Sequence, residues 1–362
     1  MALRSLWRGY KRLPTIRESL NTLPLSSYRL QYHTNMGDTS EPEELKQSKP
    51  KGRGGVAREE RRALAESTLE IIEAGQYTLG DVEHDIRSQL SAMISGTRHY
   101  AADSLLSMWQ QPTSVGNSAR DRATEISIIE ISTLEGATYL SSLPYTSPEE
   151  PERKVGVLNF ASAKSPGGGF RTGAQAQEES IARSSTLYQS LISSTGDNFY
   201  RPHKKDPKGG YYSHAMIFSP DVTVFRMDSG NLIAPLQIDV VTSAAVNAGV
   251  ARRTLHGQVA GEAEEVKIGK VMKDRMGRIL FLFEKHHVKD IVLGSFGTGV
   301  FKNKVSLVAA IWAELLTAPD ARFANSFDRV LFAILGRPTF EEFRDAFEER
   351  RATKSDDDVV II

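Results

Sequence analysis

Three short stretches of the chain are apolar at almost every position: "KVGVLNFASA" (154–163), "LQIDVVTSAA" (236–245) and the start of "DIVLGSFGTGVF" (290–301). A strand with one wet face alternates apolar and polar residues, so strands like these belong in a sheet covered on both sides. The intervening segments supply the cover. Helical patterning spans about 178–192, the long stretch 263–287 with Val266, Met272, Ile279, Leu282 and Phe283, and the stretch 304–316. "EISIIEIST" (125–133) and "FDRVLFAIL" (327–335) read as further strands, with "TFEEFRDAFEER" (339–350) as a closing helix. Strands alternating with helices over most of the chain imply one α/β domain, a three-layer α/β/α sandwich with a mixed sheet.

Several local expectations follow. A helix from Arg58 to Ala74 presents Leu64, Thr68, Ile71 and Ile72 on one face and stops at Gly75. It forms an N-terminal helical extension. Thr133 is expected to cap the helix "LEGATYLSSL". A polar loop is expected to about residue 210, followed by two strands, "AMIFSP" and "VTVFRM". Residues 97–125 are weakly patterned, and the chain carries no internal repeat.

Composition removes whole classes of function. The 362 residues contain no cysteine, which excludes disulfides, thiolate zinc sites and thiol nucleophiles. Basic and acidic residues balance at 45 each, so no global field recruits nucleic acid or an anionic membrane, and direct DNA binding is not expected. The eight histidines form no HExxH, "KHHVKD" reads as a polar helix end, and neither a metal nor a cofactor is expected. No apolar run is long enough to span a bilayer.

The chemistry gathers in two glycine turns, "NFASAKSPGGGF" and "VLGSFGTGVFKN", each leading from a buried strand into a helix. Glycine lets backbone approach an anion closely, and helix N-terminal amides attract negative charge. Two such turns at strand carboxyl ends would embrace the two phosphates of one pyrophosphate. Rival motifs are missing: there is no GxxxxGK[ST], no GxSxG elbow, and "GSFGTG" lacks GxGxxG spacing. After the first turn come Gln177, Glu178 and Glu179. Adjacent helical residues point about 100° apart, so the two carboxylates do not flank one bond as a glycosidase acid and base would. One glutamate would act on the scissile bond while its neighbour orients substrate or braces the loop. An N-terminal charge pair on the helix dipole is the alternative.

The run "NFASAKSPGGGFRTGAQAQEESIARSSTLYQSL" resembles the microbial-type poly(ADP-ribose) glycohydrolase family, whose hallmark is three glycines, a short spacer and Gln-Glu-Glu. Here these are Gly167, Gly168 and Gly169, seven intervening residues, then Gln177, Glu178 and Glu179. The likeness extends through "IFSPDVTVFR" and "VLGSFGTGVFKN". The resemblance implies a macrodomain-like fold and a poly(ADP-ribose) glycohydrolase that cuts ribose–ribose O-glycosidic bonds to release ADP-ribose, reversing ADP-ribosylation. It gives Glu179 the role of general acid/base and Glu178 that of holding the ribose. Gly167, Gly168 and Gly169 match the loop against the diphosphate and distal ribose, and Gln177 is grouped with these binding residues. Ser295, Phe296, Gly297, Thr298, Gly299 and Val300 match the second diphosphate loop, with Phe301 near the adenosine. Asn159 matches an Asn of the distal-ribose motif, while Ser162 replaces the second Asn of that motif. The implied partners are poly(ADP-ribose) or ADP-ribosylated proteins. The alternatives are a non-hydrolysing ADP-ribose reader, which has no need of the glutamate pair, and a hydrolase of protein-linked mono-ADP-ribose.

The ends differ from the catalytic stretch, which is bounded at 55–350. Residues 1–54 read as a disordered basic leader and linker. Arg4, Arg8, Lys11, Arg12, Arg17 and Arg29 stand there against Glu18 alone, with Leu3, Leu6, Trp7, Tyr10 and Leu13 at helical spacing. This resembles a mitochondrial presequence; a plain basic leader, or an upstream extension before a working start at Met36, are the alternatives. The expected location is cytoplasm and nucleus, or mitochondria if residues 1–35 direct import. Residues 351–362 read as a disordered tail whose acidic run precedes Val359, Val360, Ile361 and Ile362, a pattern that fits a weak SUMO-type contact by strand addition.

Overall fold

The computed structural model describes residues 53–111, 124–144, 154–205, 209–318 and 320–356. The leader and linker up to residue 52 and the Val359–Ile362 motif lie outside the described residues, as does everything expected of them. The chain opens with helix α1 (Arg53–Ala74), a hairpin of β1 (Gln76–Leu79) and β2 (Val82–Asp85), and α2 (Arg87–Gly96). It then forms β3 (Arg98–Tyr100), β4 (Glu125–Ile129), α3 (Thr133–Ser142), β5 (Val155–Phe160), α4 (Gln177–Ser184), α5 (Leu187–Ile192) and α6 (Ser194–Lys205). The second half runs β6 (Met216–Arg226), β7 (Leu232–Ser243), α7 (Ala248–Ala251), α8 (Leu255–Ala260), α9 (Glu262–Lys285), β8 (Asp290–Leu293), α10 (Val305–Leu316), β9 (Arg329–Ala333) and α11 (Arg337–Asp356).

Seven strands form one mixed sheet in the order β3-β6-β7-β5-β8-β9-β4. From β7 to β4 neighbours are parallel, while β3, β6 and β7 pair antiparallel. Successive side chains send alternate residues into two cores, as a doubly covered sheet requires. Leu158, Val241, Ile291 and Phe332 pack with α9, α10 and α11 residues such as Met276, Trp312 and Phe343. Val157, Val240, Val292 and Leu331 pack on the opposite side with Met93, Leu134, Ile181, Leu191 and Phe199 from α2 to α6. The three-layer α/β/α sandwich with a mixed sheet is therefore the observed architecture.

Local differences from the sequence reading have identifiable causes. Ser132, not Thr133, caps α3: its hydroxyl accepts from Glu135 N–H, and the Glu135 carboxylate accepts from Ser132 N–H, a reciprocal capping box. The single helix expected over 178–192 is broken at Ser185 and Thr186. There β6 grips the chain: Thr186 N–H donates to Thr223 O and Thr223 N–H to the Thr186 hydroxyl. The two strands expected over 215–227 are one strand, bent by a register shift between Ser219 and Val222, where Asp221 takes φ +55°. The loop expected before 210 holds α6, and the closing helix runs past 350 to Asp356, so the first residues of the expected tail are helical. Likewise α1 begins at Arg53, inside the expected linker.

β5 is the central strand of the seven-stranded sheet and carries the first glycine turn. Gly156 lies where the Phe283 ring of α9 presses on the sheet, and a Cβ added there would stand 2.7 Å from both Phe283 Cε1 and Val288 Cγ1. Gly156→Ala is expected to lower stability by about 1–3 kcal/mol through overpacking, read as a melting temperature several degrees lower in a thermal unfolding scan.

Candidate functional site

The parallel strands β7, β5 and β8 lie side by side and end at Ser243, Phe160 and Leu293. The chain leaves β5 towards one side of the sheet and returns as β8 on the other, the topological switch where open α/β sheets collect ligands. Both glycine turns lie here, one after β5 and one after β8. They meet through an edge-to-face contact of Phe160 with Phe296, ring centres 5.6 Å apart.

In the first turn Gly167 and Gly168 take φ of +66° and +57°, a region that L side chains enter only with strain. Gly168 has a second reason to be glycine: a Cβ there would fall 2.3 Å from Glu179 Oε1 and 3.2 Å from Glu178 Oε2. The turn closes with Gly168 N–H donating to Ser165 O and Phe170 N–H to Gly167 O. Phe170, fully buried against Tyr188, anchors its exit.

Gln177, the first residue of α4, ties the helix start to the sheet. Its side-chain oxygen accepts from Phe160 N–H at 2.9 Å, and its nitrogen donates to Leu158 O at 2.7 Å and to the Thr133 hydroxyl at 3.2 Å. The carboxamide thus pairs with β5 as a neighbouring strand would, bracketing Asn159. Every hydrogen bond it makes here is to the sheet and to α3.

One residue on, Glu178 points into the protein and is 2 % exposed. Its Oε2 accepts from Ser162 N–H at 2.6 Å, and its Oε1 lies 3.5 Å from Asn159 Nδ2. The backbone amide of Ser162 makes this contact, so the side-chain replacement at that position costs the glutamate nothing. Burial pushes the Glu178 carboxyl up to about 8, the Glu179 charge adds to it, and the amides of Ser162 and Gly167 and the Asn159 side chain pull the other way. Near it stands the fully buried Tyr200 phenol of α6, held well above its ordinary pKa by burial first and by the Glu178 charge second.

Glu179 is only half-buried, and its Oε1 accepts the Gly169 N–H at 2.9 Å. The glycine turn therefore aims its own backbone amide at this carboxylate. Asn159 is fully buried; its Nδ2 also donates to Thr242 Oγ1 at 3.2 Å, from its register partner on β7. Among the described residues its Oδ1 has no partner. Asn159, Gly167–Gly169, Glu178 and Glu179 are thus one contiguous cluster.

The second turn is a scaffolded loop. Gly297 takes φ +76°, with its Cα hydrogen facing Ala245, where a Cβ would come within 2.4 Å. Asn303 stitches it, donating to Val246 O at 2.7 Å and Gly297 O at 3.0 Å. Thr298 Oγ1 donates to Ser295 O, Gly299 and Val300 are exposed, and Phe301 packs half-buried against Tyr212. The side chain of Phe296 is wholly buried in the core and its N–H donates to Gly294 O, so it shapes the loop from beneath. Sequence reasoning missed Thr242, Asn303, Tyr200 and Arg183. An asparagine just after a glycine turn is the one of these with a local signal. Among the described residues no group of three or more His, Asp or Glu is placed to hold a metal, and no helix is long and apolar enough to cross a membrane.

Comparison with known proteins agrees with this geometry. The family model of the microbial-type PARG catalytic domain matches residues 65–227. No curated protein sequence matches the chain. Among solved structures, poly(ADP-ribose) glycohydrolase from Thermomonospora curvata is 34% identical, with a TM-score of 0.69 over 81% of this chain and 99% of that one. The same enzyme bound to the inhibitor ADP-HPD gives 34% identity and a TM-score of 0.67 over the same shares. The Deinococcus radiodurans glycohydrolase in complex with ADP-ribose is 30% identical, with a TM-score of 0.59 over 72% of this chain and 97% of that one. With that identity over nearly the full length of the solved chains, the protein belongs to the microbial-type poly(ADP-ribose) glycohydrolase family.

Proposed function

We propose that this chain hydrolyses poly(ADP-ribose) at ribose–ribose bonds, releasing ADP-ribose, with Glu179 as the general acid/base. The observation that carries the assignment is the opposite placing of two adjacent glutamates. Glu178 is sealed beneath the turn and leans towards its neutral form, while Glu179 is accessible and oriented by the Gly169 amide. Glu179 gives its proton to the leaving ribose oxygen as the glycosidic C–O bond breaks. The resulting carboxylate then takes a proton from water as the water oxygen bonds to the oxocarbenium-like carbon, which restores the acid. Glu178 and Asn159 hold the ribose hydroxyls. The unpaired Asn159 Oδ1 supports this, since a buried polar atom without a protein partner is costly unless a ligand completes it. The glycine turns receive the diphosphate, Gly167–Gly169 on one side and the Ser295–Val300 loop on the other, with Phe301 at the adenosine end.

Replacing the acid/base tests this directly. With automodified polymer as substrate, Glu179→Gln is expected to release ADP-ribose about 10²–10⁴-fold more slowly than wild type while still binding ADP-ribose. Equal rates would remove Glu179 from the mechanism. Binding by wild type without release would make the protein a reader. Faster release from mono-modified protein than from polymer would move the substrate.

The buried carboxyl gives a second test, through stability. With the Glu178 carboxyl pushed up to about 8 from an ordinary 4.5, the native state holds, between these values, a proton that the unfolded chain has lost. The contribution is full below about pH 4.5 and disappears as pH rises through about 8. Thermal melts of wild type and Glu178→Gln at pH 5, 7 and 9 should show wild type losing ground steadily to the variant as pH rises. A difference that does not change with pH would mean that Glu178 is ionised throughout.

A further inference from the structure

Three consecutive carbonyls between the glycine turn and α4 are each held by an arginine. Arg58 Nε donates to Thr172 O at 2.9 Å, Arg61 Nε to Gly173 O at 2.8 Å, and Arg183 Nη1 to Ala174 O at 2.6 Å. Arg58 and Arg61 stand one turn apart on α1, hence on one face. Arg183 comes from the last turn of α4 itself.

The α1 backbone closes on the same segment. Gly173 takes φ +76°, and a Cβ there would lie 2.2 Å from Arg58 O, an approach open only to glycine. Beneath, Ala65 of α1 packs with Phe170 and Ala182, and the Thr68 hydroxyl donates to Arg183 O. From the held carbonyls the hydrogen bonds run on without a gap. Thr172 N–H and Ala174 N–H both donate to Gly169 O, and Gly169 N–H donates to Glu179. Arg183 feels the attraction of Glu179 and Asp228 and the repulsion of Arg61, so these groups share one charged cluster. The family match starts at residue 65, so Arg58 and Arg61 lie outside it.

We propose that Arg58 and Arg61 are positioning residues for Glu179: by holding the Thr172 and Gly173 carbonyls, α1 fixes the turn whose Gly169 amide orients the Glu179 carboxylate. This rests on the reading of Glu179 as the acid/base. The segment 170–176 has one short 3₁₀ turn and no strand or α-helix of its own to fix it. The arginines supply that order from outside. Because α1 also docks through Ala65, Leu69 and Thr68, removing the two guanidinium groups loosens the turn rather than the helix.

The experiment compares full-length wild type, Arg58→Ala/Arg61→Ala and Arg58→Lys/Arg61→Lys. It measures polymer turnover, ADP-ribose affinity, and amide hydrogen exchange over 168–180. In the alanine pair kcat is expected to fall about 10–100-fold, the scale of two charged-donor hydrogen bonds, while the Kd for ADP-ribose, whose diphosphate also meets the Ser295–Val300 loop, rises by clearly less than that. Exchange in the turn should quicken while β5 stays protected. The lysine pair, each still a cationic donor, should recover most of kcat. Unchanged turnover with unchanged exchange overturns the proposal. So does an equal loss of turnover, affinity and melting temperature, which would make the arginines merely structural. A wild type that releases no ADP-ribose refutes the glycohydrolase reading instead, and the exchange comparison then decides the clasp by itself.

Discussion

The site depends on a side chain that behaves as a piece of β-strand. By accepting from Phe160 N–H and donating to Leu158 O, the Gln177 carboxamide pins the first residue of α4 to the end of β5. Once that residue is fixed, helical geometry dictates the rest, because each following side chain turns by about 100°. Glu178 is carried under the glycine turn onto the Ser162 amide, and Glu179 is carried beside it onto the Gly169 amide. A slip of one residue would put Gln177 or Ser180 in the place of one of the two glutamates. The Gln is thus the register pin of the site, and its two bonds set which carboxyl is buried.

Those different fates are also what makes an adjacent pair of acids tolerable. Two carboxylates this near would repel each other, and burying one of them charged would cost several kcal/mol. Burial resolves both problems together by favouring the proton on Glu178. The amides of Ser162 and Gly167 oppose that shift and keep it within the titratable range. Glu179 is then left beside a neighbour that favours its neutral form, with one backbone donor from Gly169. Glycine at 168 is what permits the packing, since any Cβ would stand in the Glu179 carboxylate.

How much of this was legible in the sequence follows from how local each cause is. The apolar runs of β5, β7 and β8 carry the architecture in their own composition, because a strand buried on both faces has no polar alternation to show. The glycine triplet and the glutamate pair were likewise visible, and the structure brings them together. What stayed hidden was set by partners distant in sequence. Nothing within "SIARSSTLYQSL" announces that Thr223 will break the helix at Ser185. Nothing in Gln177 announces that β5 takes its amide. Phe296 lies in the glycine-bearing loop after β8, yet its ring belongs to the core beneath. The weakly patterned 97–125 region and the α6 segment, with Pro202 inside it, have little periodicity to read.

The role of α1 follows from the same logic of distance. In the sequence it is an amphipathic helix whose apolar face needs a surface, and that much is met by Ala65, Leu69 and Ile72. Its first described turns carry Arg58 and Arg61. Their Nε atoms reach carbonyls more than a hundred residues away in the chain. Beyond its short 3₁₀ turn the segment they hold has no helix or strand of its own, because it returns from Gly169 to α4 in seven residues while leaving Gly169 N–H pointed at Glu179. A turn so constrained has carbonyls that face outward and no strand to pair with them. Arginine donors from a separately docked helix satisfy them. The extension before the sheet is therefore part of the glycine turn's own hydrogen bonding.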